Sequence, residues 1–240
     1  MLDPNKHLQI GSLVFDGIDQ IDLTGPFEVL SRIPNSTYHI FAKGGGMVTD
    51  VRGLRIATDA DLAEAPPLDL LHVAGGFGQE ALMEDETVLD WVRRQAESAL
   101  CVFSVCTGAL ICGAAGLLKG RRATTHWTAS HLLTHFGATP VDERVVEDGK
   151  FVFAAGVTAG IDGALQVAAR LRGEEAAQFI QLYMAYAPEP PFDAGTPDRA
   201  PPQVVARAKA AAAEITAKRE ATARRVGARL GVAEAEALTS

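Results

Sequence analysis

Apolar runs of strand length recur along the first half of the chain. Residues 8–15 (LQIGSLVF), 69–76 (DLLHVAGG) and 100–105 (LCVFSV) are nearly continuous apolar stretches bounded by glycine or polar residues. Runs of this kind are typical of strands that a parallel sheet buries on both faces. Residues 36–43 (STYHIFAK) predict a further strand.

Between these predicted strands, apolar residues recur at the spacing of a helix. Pro26 predicts the first turn of a helix from Gly25 to Ser31, and apolar side chains at helical spacing predict another from Thr87 to Ser98. Strands that alternate with helices are typical of the α/β class. We therefore expect a flavodoxin-like, open and mostly parallel sheet with helices on both faces.

The pattern changes after residue 140. The dipeptide Asp148-Gly149 predicts a hairpin turn within residues 140–155. Residues 158–173 and 174–187 have the periodicity of two helices, both of which we expect to pack on the core. The second helix would do so through Phe179, Leu182, Tyr183 and Tyr186.

The last fifty residues combine a proline-rich segment with a weakly apolar helical stretch. Residues 188–202 predict an extended surface strap, and residues 203–230 predict one long C-terminal helix with a stripe at Ala208, Ala212, Ile215 and further apolar positions. No turn divides this helix, so it is not a helix-turn-helix pair. We predict an α/β domain over 1–187, with 188–240 packed on it or on a dimer partner.

Composition narrows the class of protein. The 240 residues are 48% hydrophobic and 22% charged, as in a folded domain, and the net charge of −8 argues against binding nucleic acid or an anionic membrane. The N-terminal residues lack the features of a secretory signal, and no run is long enough to span a membrane, which predicts a cytoplasmic protein. The cysteine spacing C-x4-C-x5-C matches no zinc pattern, so we expect reduced thiols and no metal.

One cysteine has a distinctive position. Cys106 lies where the apolar run 100–105 gives way to a helical one, a nucleophile-elbow arrangement that places a side chain at the carboxyl edge of the sheet. Backbone amides and the helix dipole predict a lowered pKa for this thiol. Cys101 and Cys112 lie within regular elements and are expected to be inert core thiols.

Other candidate residues have two interpretations each. Gly75 and Gly76 follow a strand and could present backbone amides to a reacting group, or could form a plain tight turn. Asp22, just before the predicted helix, could be a helix cap or a general acid and base.

The histidines of residues 123–137 form another group of candidates. His131 and His135 could in principle hold a metal, but solvated or core histidines are the commoner case. His126, which precedes the stretch in which His131 and His135 would share one helix face, remains a candidate for contact with substrate.

Several longer segments carry a family resemblance. The segments DLTGPFEVL, PPLDLLHVAGGFG, SVCTGALICGAAGLLKGRRATTHW and GVTAGIDGAL resemble the ThiJ/PfpI superfamily in content and order. The resemblance covers roughly residues 8–230. The strap segment YAPEPPFDAGTPDRAP is more discriminating and is similar to the branch of that superfamily that hydrates isocyanides.

This resemblance implies a reaction. An isocyanide, R–N≡C, would be hydrated to an N-substituted formamide through a covalent thioimidate, with water as co-substrate and no metal or organic cofactor. On the family pattern Cys106 is the nucleophile, Asp22 the general acid and base, and Thr107 a hydrogen-bonding neighbour, while Gly75 and Gly76 furnish backbone contacts. The resemblance also implies a homodimer.

Two positions at which this sequence differs from other branches of the superfamily argue against the activities of those branches. Protease-like members have histidine directly after the nucleophile, where this chain has Thr107, and glyoxalase-type members usually have glutamate where it has Asp22. Two alternatives stay open: a glyoxalase or deglycase acting on α-dicarbonyls, and a non-catalytic sensor in which Cys106 is oxidised.

Overall fold

The apolar runs of the sequence form the strands of a central sheet in a computed structural model that describes residues 5–232. The strands in chain order are β1 (Leu8–Leu13), β2 (Ser36–Ala42), β3 (Met47–Thr49), β4 (Arg55–Ala57), β5 (Ala60–Asp61), β6 (Leu70–Val73), β7 (Cys101–Val105), β8 (Arg122–Ala123), β9 (Thr139–Pro140), β10 (Val145–Asp148) and β11 (Phe151–Ala154).

The periodic segments between them form helices. These are α1 (Gln20–Leu30), α2 (Gln79–Leu82), α3 (Glu86–Ser98), α4 (Gly108–Ala114), α5 (Ala159–Arg172), α6 (Glu174–Tyr183) and α7 (Pro202–Arg229). Leu62–Glu64 and Trp127–Phe136 form 3₁₀ turns. None of the helices within residues 5–232 is long and apolar enough to cross a membrane.

The main sheet has seven strands in the order β10-β11-β7-β6-β1-β2-β5. All neighbours are parallel except β10 and β11, which form the hairpin predicted from the sequence. Gly149 and Lys150 connect the two hairpin strands, and Gly149 has the positive φ that this turn requires. The expected open, mostly parallel sheet is confirmed.

Helices cover both faces of this sheet. On one face α1, α5 and α6 enclose a cluster that includes Phe103, Val105 and Val167. On the other face α3, α4 and α7 enclose a second cluster that includes Trp91, Leu110 and Phe136. The strand residues between the layers are buried on both sides, which explains their continuous apolar runs.

Two helices differ from the sequence prediction. Helix α1 begins at Gln20, not at Gly25, so Pro26 lies inside the helix and removes one N–H donor. Helix α6 buries Ala177 and Ile180, whereas Phe179, Leu182 and Tyr183 are exposed, so the expectation that they pack on the core was wrong. Periodicity reveals an apolar helix face but does not show what covers it.

The predicted strap and C-terminal helix are both present. The segment between α6 and α7 is irregular, and the second half of α7 docks against α4 and the 3₁₀ turn Trp127–Phe136. Gly227 permits the close approach, because a Cβ atom there would lie 2.3 Å from the carbonyl oxygen of His135. The division into 1–187 and 188–240 stays a prediction, and residues 1–4 and 233–240 lie outside the described range.

Candidate active site

The carboxyl ends of three neighbouring strands form the candidate site. Strand β6 lies between β1 and β7, so the connections that follow these strands meet at one edge of the sheet. They bring Asp22 from α1, the Gly75-Gly76 pair after β6, and Cys106 with Thr107 after β7 into one cluster. This is the edge at which open α/β sheets bind ligands.

Cys106 occupies a strained turn between β7 and α4. Its φ of 56° lies in the left-handed region, which costs a non-glycine residue on the order of 1 kcal/mol or more. Two contacts fix this conformation: its N–H donates to the Ala154 carbonyl (2.9 Å), and the Thr125 hydroxyl donates to its carbonyl (2.6 Å). Cys106 is 6% exposed, whereas Cys101 and Cys112 have no exposed surface.

Asp22 lies in the first turn of α1 with its side chain buried. Its Oδ2 accepts a hydrogen bond from the Gly75 N–H (3.1 Å), whereas Oδ1 has no partner of good geometry among residues 5–232. Gly75 makes this approach possible, because a Cβ atom there would lie 2.9 Å from that carboxylate. The N-cap position belongs to Asp19, so Asp22 is not the helix cap that the sequence left open.

The electrostatics of the site are dominated by the pairing of Asp22 with Cys106. Burial raises the pKa of Asp22 to about 7, aided by the charge of Asp19 and opposed by hydrogen bonds from Cys106 and Gly75. Burial and the adjacent carboxylate also raise the pKa of Cys106 well above its ordinary value, opposed by the Thr107 amide and Arg219. Below about pH 7 both groups are therefore protonated, and above it the pair holds one proton and one negative charge.

The predicted lowering of the Cys106 pKa was wrong. The backbone amide at the start of α4 does favour the thiolate, as the sequence suggested. Burial and the nearby carboxylate outweigh it, and neither was visible in the residues around the cysteine. Cys106 is therefore a protonated thiol next to a carboxyl group of raised pKa.

The two predicted backbone amides already have partners in the protein. The Gly75 N–H binds Asp22, and the Gly76 N–H donates to the Thr107 hydroxyl oxygen (3.1 Å). Gly76 has a φ of 137°, and a Cβ atom there would lie 2.4 Å from the backbone nitrogen of Asp19. These glycines hold Asp22 and Thr107 in position, while their direct contact with substrate stays a prediction.

A cavity of about 110 Å³ opens beside the thiol. Its lining residues are Asp19, Gly76, Phe77, Cys106, Thr107, His126, Thr128, Val157, Ala212, Ile215 and Arg219. His126 is among them, and its Nδ1 lies 2.8 Å from the Thr128 hydroxyl. Burial, reinforced by the charge of Arg219, lowers the pKa of His126, so the ring is neutral at pH 7.

Arg219 is the site residue that the sequence analysis missed. It lies on α7, is only 4% exposed, and donates to the Gly76 carbonyl (2.7 Å) and to Gln79 Oε1 (3.0 Å). A signal existed in the sequence: Arg219 interrupts the apolar stripe of the long helix, four residues from both Ile215 and Ala223. A charged residue on a buried helix stripe indicates either a pairing or a function.

The remaining candidates lie elsewhere. His131 and His135 both place Nε2 3.2 Å from the Glu220 carboxylate of α7, where they help to dock the helix. Within residues 5–232 no group of three or more histidine, cysteine or acidic side chains is arranged to hold a metal. A larger cavity of about 290 Å³ lies near Phe15 and Val48 and contains no cysteine or histidine.

Comparisons with known proteins agree with this fold. The DJ-1/PfpI family pattern matches residues 9–170. The isonitrile hydratase of Pseudomonas putida is 47% identical over 94% of this chain and 99% of its own length, and deglycase TK1284 of Thermococcus kodakarensis is 29% identical over 57% of this chain and 83% of its own length. The crystal structure of a ThiJ/PfpI family protein from Pseudomonas syringae is 39% identical and superposes with a TM-score of 0.88, covering 91% of each chain. The chain therefore belongs to the DJ-1/PfpI family.

Proposed function

We propose that this protein hydrates isocyanides, R–N≡C, to N-substituted formamides. The observation that carries the proposal is the buried pair of Asp22 and Cys106, in which a carboxyl group of raised pKa lies beside a thiol that occupies a strained turn and lines the cavity. The near full-length similarity to an isonitrile hydratase supports the same chemistry, since isonitrile and isocyanide name one functional group.

In the first half of the reaction the terminal carbon of the isocyanide gains a proton and a sulfur. The proton that Asp22 and Cys106 share moves to that carbon while the Cys106 sulfur bonds to it, giving the thioimidate R–N=CH–S–Cys106. A carboxyl group with a pKa of about 7 suits this step, because it is partly protonated at neutral pH and still basic enough to act later.

In the second half Asp22 acts as a base. It takes a proton from water as the water oxygen adds to the thioimidate carbon, and the other water proton ends on nitrogen. Collapse breaks the carbon–sulfur bond, releases R–NH–CHO and returns the sulfur to the pair. The proton taken from water restores the shared proton, so one carboxyl group serves both halves.

The neighbouring residues have supporting roles in this proposal. Gly75 orients the Asp22 carboxylate through its N–H, and Thr107 ties the Gly76 backbone to the start of α4. Gly76 and the neutral His126 line the cavity where the substrate group R would lie. The other walls of this small cavity include Phe77, Ile215 and further apolar side chains, which suits a compact, uncharged R group.

A substrate comparison tests the reaction class. We expect the purified protein to convert an alkyl isocyanide such as tert-butyl isocyanide to its formamide, followed by infrared loss of the isocyanide band. Conversion of methylglyoxal under the same conditions should be slower by at least about 100-fold. This is the factor by which a correctly positioned acid or base typically accelerates a reaction, and we expect Asp22 to be positioned for the isocyanide only.

The reverse preference would assign the deglycase type of chemistry to Cys106. Stoichiometric oxidation of Cys106 without turnover of either compound would instead indicate a sensor. Cys112→Ala serves as a matched control, because this thiol is buried in α4 and does not line the cavity.

We also propose that the protein forms a homodimer through α6 and the strap. Phe179, Leu182 and Tyr183 project from α6 with exposures of 63–80%, and Phe192 of the strap is 77% exposed. Exposed large apolar side chains on one helix mark an interaction surface, and a second copy would cover them.

Light scattering during size-exclusion chromatography tests this surface. The wild type should elute with twice the 25.4 kDa mass of one chain, and Leu182→Glu should shift the equilibrium towards the monomer. The matched control Thr87→Glu adds the same charge to an exposed position of α3, on the other side of the sheet, and should leave the mass unchanged. A monomeric wild type, or a dimer unaffected by Leu182→Glu, would contradict the proposal.

Two further expectations belong to this proposal. All three cysteines are free thiols, which supports a reducing, cytoplasmic location. Helix α7, which lies in the segment predicted to pack on the α/β domain or on a dimer partner, is proposed to complete the active site, because it contributes Ala212, Ile215 and Arg219 to the cavity.

A further inference from the structure

We infer that Arg219 is a positioning residue for the Cys106–Asp22 pair and the counter-ion of the negative charge that forms on the Cys106 sulfur. This inference rests on the proposed function, because the proposed reaction uses the negative charge on the Cys106 sulfur. If it is correct, helix α7 not only packs on the domain but also supplies a charged group to the active site.

The first argument is that the buried Arg219 side chain has no ion-pair partner. Arg219 is buried, yet its guanidinium forms no ion pair with any carboxylate among residues 5–232. Its hydrogen-bond partners there are the Gly76 carbonyl, Gln79 and the Thr107 hydroxyl, and it lies over the Phe77 ring. Other arginines of α7, such as Arg225, are exposed and paired with carboxylates. Burying a cation is unfavourable unless negative charge lies nearby, and for Arg219 the larger such influence comes from Cys106 and the smaller from Glu80.

The second argument is the location of Arg219. Its guanidinium binds the Gly76 carbonyl (2.7 Å) and approaches the Thr107 hydroxyl (3.5 Å), both next to Cys106. Arg219 and Cys106 line the same cavity, and the positive charge of Arg219 favours the Cys106 thiolate. The guanidinium is therefore placed to stabilise negative charge on the sulfur.

No other charged group around the cavity could supply the positive charge that Arg219 provides. Asp19 and Asp22 from α1 are acidic, and so is Glu80 of α2, which engages the Thr222 hydroxyl and interacts electrostatically with Arg219 without forming an ion pair. His126 is neutral at pH 7 because its pKa is lowered. Among the described residues that face the pair, Arg219 is accordingly the permanent cation.

Cysteine alkylation measured against pH tests the inference independently of any isocyanide. Iodoacetamide reacts with the thiolate, and mass spectrometry of the Cys106 peptide gives the rate. In Arg219→Gln the midpoint pH of the reaction should rise by about one unit or more, because the negative form loses its counter-ion. Isocyanide turnover at neutral pH should fall by at least about 10-fold, as that midpoint shift implies.

Matched variants separate charge from packing. Arg219→Lys keeps the charge and should retain a midpoint close to that of the wild type, even if its rate is lower. Arg225→Gln removes the same charge from an exposed position of α7 and should leave the midpoint unchanged. Arg219→Met is a second charge-removing variant, should the glutamine variant fail to fold.

Two results would overturn the inference. One is a folded Arg219→Gln or Arg219→Met variant with the wild-type midpoint, and the other is a lysine variant shifted as far as the glutamine variant, which would indicate a packing role. A wild type that alkylates with the expected Arg219 dependence but does not turn over isocyanides would contradict the proposed function and leave the counter-ion role supported.

Discussion

Replacing Cys106 by alanine is expected to lower isocyanide turnover by a factor of at least about 10⁴, the scale on which an enzyme loses activity with its nucleophile. No other described thiol can substitute, because Cys101 and Cys112 are buried and do not line the cavity. Cys106→Ser should be nearly as inactive, since a serine hydroxyl beside a carboxylate ionises far less readily than a thiol. Infrared loss of isocyanide with time measures both rates.

The fold of these variants is expected to persist. The turn at Cys106 is held by backbone bonds to Ala154 and by the Thr125 hydroxyl, none of which uses the sulfur. Thermal unfolding and circular dichroism should therefore resemble those of the wild type. A folded alanine variant that retains wild-type turnover would remove Cys106 from the mechanism.

Asp22→Asn is expected to have opposite effects on activity and stability. Turnover should fall by about 10²- to 10⁴-fold, because asparagine can neither give nor take the proton in either half of the reaction. The asparagine carbonyl can still accept from Gly75, so the local structure should be retained. Steady-state rates at pH 7 measure this effect.

The stability effect follows from the raised pKa of Asp22. In the folded protein this pKa is about 7 against an ordinary 3.8, so the native state binds the proton more tightly. The resulting stabilisation is complete below about pH 4 and is lost as the pH rises through about 7, where the buried group ionises. The difference between the folded and the ordinary pKa of Asp22 corresponds to at most about 4 kcal/mol in the free energy of unfolding.

Asp22→Asn should therefore be more stable than the wild type at pH 8 and differ less from it at pH 5. Urea unfolding at the two pH values measures the difference, and Asp90→Asn, at an exposed acidic position of α3, is the matched control. An asparagine variant less stable than the wild type at pH 8 would contradict the raised pKa.

The main sheet was largely predictable from the sequence for a physical reason. A parallel strand buried on both faces must be apolar along its whole length, so β1, β6 and β7 stand out without any alignment. The break between such a run and a helical one also located Cys106, and the order of parallel strands placed its partners at the same edge. Sequence position therefore distinguished one cysteine from two others.

What could not be predicted depends on distant contacts. The direction of the Cys106 pKa is set by burial and by Asp22, which neighbouring residues do not reveal. The exposed face of α6 looks like any core-facing stripe until the packing of α5 and α6 is known. Arg219 enters the site only because α7 docks on α4, although its place in an apolar stripe was a visible signal.

The most direct test of the account is rapid-quench mass spectrometry during isocyanide turnover. We predict that the Cys106 peptide gains the mass of one isocyanide molecule, the thioimidate, and that this species decays as the formamide appears. Formamide produced at the full rate with no adduct on Cys106 at any time would contradict covalent catalysis by this thiol.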